Sequence, residues 1–139
     1  MQSQQQIAVR NEADTIALGN QLAKQLKPGQ LIFLQGDLGA GKTTLTRGIL
    51  RGLGYQGKVK SPTFTLVEPY QLTKFSLYHC DLYRIEDAAE LATIGFYDYL
   101  NKDSVCLIEW AEKVKDYLPA ADQIIAIEIS DNIRKVIIR

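Results

Sequence analysis

The chain has 139 residues, 46% of them hydrophobic, and its 16 basic side chains balance 16 acidic ones. That is the composition of one globular domain with a single core, and zero net charge disfavours a protein that grips RNA or DNA by its own surface. No apolar stretch is long enough to span a bilayer. Met1–Gln6 has neither a charged n-region nor an apolar h-region, so no export signal and a cytoplasmic location are expected.

Ile7 to Arg10 reads as a short edge strand. Asn11 then caps a helix, with Asp14 adding an acid to its first turn. Ile16, Leu18, Leu22 and Leu26 supply an apolar stripe at helical spacing, which Lys27-Pro28-Gly29 stops. Gln30 to Gln35 is a core strand. The following helix places Leu45, Ile49 and Leu53 on one face and ends at Gly54, a natural C-cap. Tyr55 to Pro62 is a polar loop. Phe64–Tyr70 and Phe75–Leu82 are two extended runs with a short connector, which predicts an antiparallel hairpin and hence a mixed sheet. Glu86 to Ile94 is helical with Gly95 as its stop, and Phe96 to Leu100 adds a turn. Val105–Ile108 is a buried central strand ending at Glu109-Trp110, and Ala111–Tyr117 is a short helix before Pro119. Gln123–Ser130 and Ile133–Arg139 form a terminal hairpin around Asp131-Asn132. Cys80 and Cys106 lie in apolar, strand-like runs without CxxC spacing, so they are expected as buried free thiols in a reducing compartment.

The stretch that carries chemistry is Gly36-Asp37-Leu38-Gly39-Ala40-Gly41-Lys42-Thr43, with Thr44 opening the helix. It is a G-x-x-x-x-G-K-[ST] phosphate loop in its required strand–loop–helix context. Glycines let backbone N–H groups turn inward, and the helix offers its positive end to an anion. Lys42 would reach the terminal phosphates and the Thr43 hydroxyl would bind the accompanying Mg²⁺. A nucleoside triphosphate is the implied ligand; the bland alternative is a Gly-rich turn that binds nothing.

Glu109 closes an apolar strand, where a metal-holding or water-orienting carboxylate is found in α/β sheets. Its alternative is a solvated strand end. Trp110, the sole tryptophan, is either core filler or the rim of the same site. Strand alternation puts His79 and Asp81 on one face, making Asp81 a second candidate for positioning water or Mg²⁺. For His79 a structural hydrogen bond is favoured over chemistry, and for Arg84 an ion pair. Ser61-Pro62-Thr63-Phe64-Thr65 occupies the place of a γ-phosphate-sensing switch, although an ordinary strand entry explains it as well.

Together these stretches resemble one family over nearly the whole chain, the bacterial TsaE (YjeE) proteins. The shared motifs are Gly36–Thr44, Ser61–Tyr70, His79-x-Asp81-Leu-Tyr-Arg84, Glu90-Leu91 with Gly95-x-x-Asp98-Tyr99, and Glu109-Trp110. The resemblance implies a single-domain P-loop NTPase of α/β class, residues 1–139, with a mixed parallel/antiparallel sheet flanked by helices. It implies a Mg²⁺-dependent ATPase that works with TsaB and TsaD to make threonylcarbamoyladenosine beside the tRNA anticodon, reaching tRNA only through those partners. On this footing Thr43 and Glu109 take the Mg²⁺ positions, and Lys42 takes the phosphates. Asp81 and Trp110 fall on functionally important positions, and Thr15 helps frame the nucleotide. Cys80 and Ala111 stand where the family more often has an aromatic residue and proline; neither change removes a ligand. The competing readings are a small-molecule kinase, which would need an acceptor pocket and an Arg-bearing lid, and a nucleotide-gated assembly module.

Overall fold

The structure is a computed structural model in which residues 4–37 and 39–139 are described. Its strands run β1 (Gln5–Val9), β2 (Leu31–Gln35), β3 (Val67–Gln71), β4 (Ser76–Asp81), β5 (Ser104–Glu109), β6 (Gln123–Ser130) and β7 (Ile133–Ile138), and its helices α1 (Glu12–Ala23), α2 (Lys42–Gly52) and α3 (Ala89–Thr93). The strands form a mixed sheet in the order β1-β7-β6-β2-β5-β4-β3. β4 and β5 pair in parallel, while β1–β7, β3–β4 and β6–β7 pair antiparallel. The α/β class and both expected hairpins are therefore present. The chain groups into two compact units, one of residues 1–26, 34–60 and 123–139, the other of residues 27–33 and 61–122.

In the first unit, α1 starts where Asn11 Oδ1 accepts the N–H of Asp14 at 2.8 Å and Asp14 Oδ2 accepts that of Arg10 at 3.1 Å, a reciprocal cap that satisfies the first amides. The helix ends four residues before the expected stop. From Lys24 to Leu26 the N–H groups bond three residues back instead of four, so the chain tightens before Pro28 forces it out. α2 lies so close to α1 that a Cβ on Gly19 would sit 2.6 Å from the Ile49 nitrogen, and one on Gly48 would sit 2.6 Å from the Ile16 carbonyl oxygen. Only glycine fits at either position. Leu45, Ile49 and Leu50 fill the buried face of α2, and Arg47 bonds Glu12 across the outside.

In the second unit, β5 is buried along its whole length and sits in a cluster with Leu82, Ile85, Leu91 and Phe96. Cys80 and Cys106 are free thiols in that cluster, and burial pushes Cys106 up to about 12 and raises Cys80 well above its ordinary value. Two expected elements are shorter than their composition indicates. β3 begins at Val67, because the Leu66 N–H closes a turn onto the Pro62 carbonyl at 2.9 Å and Leu66 adopts φ +69°. α3 spans only Ala89–Thr93, because Asp87 Oδ1 accepts the Ala89 N–H at 2.9 Å and fixes the start there. The segment Ala111–Tyr117 is a kinked 3₁₀ helix.

Candidate functional site

The first unit carries the phosphate loop. β2 stops at Gln35, and the chain turns at Gly36, where a Cβ would stand 3.0 Å from the Ile127 carbonyl oxygen and 3.3 Å from Ala40 Cβ. Ala40 N–H closes a turn on the Asp37 carbonyl at 3.0 Å. Gly41, at φ +112°, ends the loop, and no side chain caps α2. The first intrahelical bond runs from Leu45 N–H to the Gly41 carbonyl at 2.9 Å, so the amides of Lys42, Thr43 and Thr44 precede it and point out of the positive helix end. Lys42 is 6% exposed, and its ammonium donates to the Gly36 carbonyl at 2.6 Å. Thr43 and Thr44 are half-buried beside it. Leu38 lies outside the described residues. Thr15 is buried in α1, with its hydroxyl donating to the Asn11 carbonyl at 3.3 Å. A cavity of about 490 Å³ opens between Gln35–Asp37 and the Ala126–Ile129 segment of β6.

The second unit carries the acidic residues. Asp81 and Glu109 are register partners at the carboxyl ends of the parallel pair β4–β5, and each is 5% exposed. Glu109 Oε2 lies 2.6 Å from His79 Nε2, and His79 Nδ1 is buried without a partner among the described residues. The structural hydrogen bond expected for His79 is thus present, with Glu109 as its partner. Asp81 Oδ1 accepts the Tyr83 N–H at 2.9 Å, and its Oδ2 lies 3.5 Å from the Thr63 hydroxyl, itself 2.8 Å from that of Ser61. The Ser61–Thr65 segment therefore reaches Asp81 through Thr63.

Trp110 has φ +61°, a left-handed geometry that a bulky residue adopts only under constraint. It is half-buried, packs against the core cluster and meets the Tyr83 ring at a tilt of 57° with centroids 4.9 Å apart. Its inner side thus has the core-filling role that was one of its two expected readings. Lys113 donates to the Tyr83 carbonyl and lies 5.2 Å from that ring's centroid. Arg84 sits 5.5 Å over the ring of Phe64, which is 82% exposed, so its partner among the described residues is an aromatic face and not the expected carboxylate.

Sequence reasoning missed the His79–Glu109 bond, the Thr63–Asp81 approach and Arg134, whose guanidinium donates to the Gly39 carbonyl at 3.2 Å. Only the first left a signal, since alternation already placed His79 on the face of Asp81.

The model of the family described as threonylcarbamoyl adenosine biosynthesis protein TsaE matches residues 9–137. The chain is 55% identical over 106 residues to the tRNA threonylcarbamoyladenosine biosynthesis protein TsaE of Haemophilus influenzae, covering 76% of this chain and 67% of that protein. It is 44% identical to the Bacillus subtilis protein of the same name, over 78% of this chain and 68% of the relative. A third, from Rickettsia typhi, is 36% identical over 92% of this chain and 89% of its own length. Among solved structures, Bacillus subtilis YdiB superposes with a TM-score of 0.83 at 34% identity, covering 99% of this chain and 86% of that one. The chain belongs to the TsaE family of threonylcarbamoyl adenosine biosynthesis proteins.

Proposed function

We propose that the chain is a single P-loop ATPase domain that hydrolyses ATP with Mg²⁺ and so supports the making of threonylcarbamoyladenosine on tRNA by partner proteins TsaB and TsaD. The observation that carries the reading is the phosphate loop. Its glycine backbone leaves the α2 amides uncapped, and the Lys42 ammonium is held against it by a 2.6 Å bond to Gly36.

Binding would use those amides and the helix terminus for phosphate oxygens, with Lys42 leaving Gly36 for the terminal phosphates. The Thr43 hydroxyl and the Glu109 carboxylate would hold Mg²⁺, each being a hard oxygen ligand of the kind that ion takes alongside phosphate and water. The chemistry such an ion would supply when bound is positive charge that offsets the negative charge developing on phosphate in the transition state. His79 holds Glu109 in one rotamer through its 2.6 Å bond, and Asp81, fixed by the Tyr83 N–H, is the second carboxylate able to orient water. Neutral net charge agrees with reaching tRNA through partners.

The test is phosphate release by the chain alone and with TsaB and TsaD together. Slow turnover alone and faster turnover with both is the expected result. An unchanged rate would remove the coupled-ATPase reading and favour a nucleotide-gated assembly module. Phosphate appearing on a small acceptor would mark a kinase.

A further inference from the structure

Arg134 is set in β7 between β1 and β6, with Val9 and Ile129 as register partners. Its side chain runs to the phosphate loop of the same unit. One terminal nitrogen donates to the Gly39 carbonyl at 3.2 Å. The Cδ and Nε atoms pass 3.9 and 4.0 Å from where a Cβ on Gly41 would stand, so the arm lies along the loop between its last two glycines. The Nε–H is buried and, among the described residues, finds no hydrogen-bond partner. A buried donor left without an acceptor is costly, and folded proteins keep few of them. At the other end of the loop the Lys42 ammonium is seated on the Gly36 carbonyl at 2.6 Å. Two cations thus rest on carbonyls of one loop whose amides open toward an anion.

We infer that Arg134 is a nucleotide-binding residue, a second cationic donor that the terminal hairpin supplies to the phosphate chain of a nucleoside di- or triphosphate held on the loop. The inference rests on the phosphate-loop reading. A guanidinium is weakly hydrated and presents several N–H groups in one plane, which matches phosphate oxygens better than a carbonyl. On binding, the unpartnered Nε–H gains an acceptor, so the group that weakens the ligand-free fold strengthens the complex. Nothing in the motif spacing announces it, because Arg134 is distant in sequence from the loop and enters through the β1–β7–β6 register.

The experiment compares Arg134→Gln and Arg134→Lys with wild type, measuring ADP and ATP dissociation constants by calorimetry and the melting temperature of the ligand-free protein. Gln keeps an amide donor for the Gly39 carbonyl while removing the charge and the Nε–H; Lys keeps the charge. Arg134→Gln should weaken both nucleotides roughly ten- to hundredfold, Arg134→Lys should recover most of that loss, and neither should lower the ligand-free melting temperature. Wild-type affinity in Arg134→Gln overturns the inference. So does an equal loss in both variants with a lowered melting temperature, which would make Arg134 a loop clamp. Lys42→Ala in the same assay separates the two readings. If wild type binds no nucleotide, or Lys42→Ala binds as wild type does, the phosphate-loop reading fails; if Lys42→Ala loses binding while Arg134→Gln keeps it, only the role of Arg134 fails.

Discussion

His79 Nε2 and Glu109 Oε2 lie 2.6 Å apart, and both side chains are almost wholly buried. The bond links adjacent parallel strands diagonally, since His79 pairs in register with Leu107 and Glu109 with Asp81. A buried carboxylate of this kind is stable only while its donor is present.

Two substitutions at Glu109 separate fold from chemistry. Glu109→Gln keeps an amide against His79 and removes the charge, so its melting temperature should stay close to wild type. Under the proposed function it should bind nucleotide within a few-fold of wild type and lose Mg²⁺-dependent turnover. Glu109→Ala should lose turnover too, but it leaves the buried His79 ring without its partner and should lower stability by about 2–4 kcal/mol. Thermal melts and phosphate release measured on both variants check this. Wild-type turnover in Glu109→Gln would remove Glu109 from the metal position.

The α1–α2 contact makes a prediction whose sign runs against helix propensity. Replacing Gly48 by alanine in a helix interior should gain about 1 kcal/mol on propensity alone. The added Cβ, however, meets the Ile16 carbonyl oxygen at 2.6 Å and Ile16 Cα at 2.8 Å. Backbone cannot rotate away as a side chain does, so the clash should win. Gly48→Ala is expected to destabilise by roughly 1–3 kcal/mol, a fall of several degrees in melting temperature. A melting temperature at or above wild type would show that the helices separate freely.

What the sequence made legible follows the range over which its signals act. The phosphate loop, the Asn11 cap, the fully apolar Val105–Ile108 strand and the terminal hairpin are each written within a few adjacent residues, and each is present. The span of β3 is not, because Leu66 takes φ +69°, a conformation that leucine strongly disfavours, so nothing local announces the turn that precedes the strand. Alternation showed that His79 and Asp81 share a face but not which residue of β5 meets them, since the β4–β5 pairing spans a long crossover. Arg134 was illegible for the same reason. A β7 residue reaches Gly39 only through strand order, which no local pattern encodes.

Cys106 and Cys80 make stability depend on alkaline pH. Burial pushes the Cys106 thiol up to about 12 from an ordinary 9.0, and Cys80 is raised as well, by burial first and then by Cys106 and Asp81 nearby. Above pH 9 the unfolded chain loses thiol protons that the folded chain keeps. The unfolded state then binds fewer protons, and stability falls as pH rises. This contribution is whole below about pH 9 and is lost toward pH 12. Denaturant midpoints measured across that interval should decline more steeply for wild type than for Cys106→Ala. Folded protein at pH 8 should resist iodoacetamide at both cysteines, and denatured protein should take up two equivalents, because the thiolate is the nucleophile.

Lys42 and Thr43 are adjacent, yet their roles should separate by the metal dependence of binding. The Lys42 ammonium is a fixed charge on the loop, seated on Gly36 and able to turn to phosphate whether or not a cation is present. Thr43 offers a neutral hydroxyl whose part, under the proposed function, would be to ligate Mg²⁺. Lys42→Ala should therefore weaken ATP binding by one to two orders of magnitude both in Mg²⁺ and in EDTA, as expected for loss of a charge-assisted hydrogen bond. Thr43→Ala should match wild type in EDTA and lose most of the gain that Mg²⁺ confers. Titrating ATP into the three proteins with and without Mg²⁺ gives the four ratios needed. If Thr43→Ala weakens binding equally in EDTA, its hydroxyl supports the loop and not the metal. If Lys42→Ala binds as wild type in both, the cradle does not hold phosphate through Lys42.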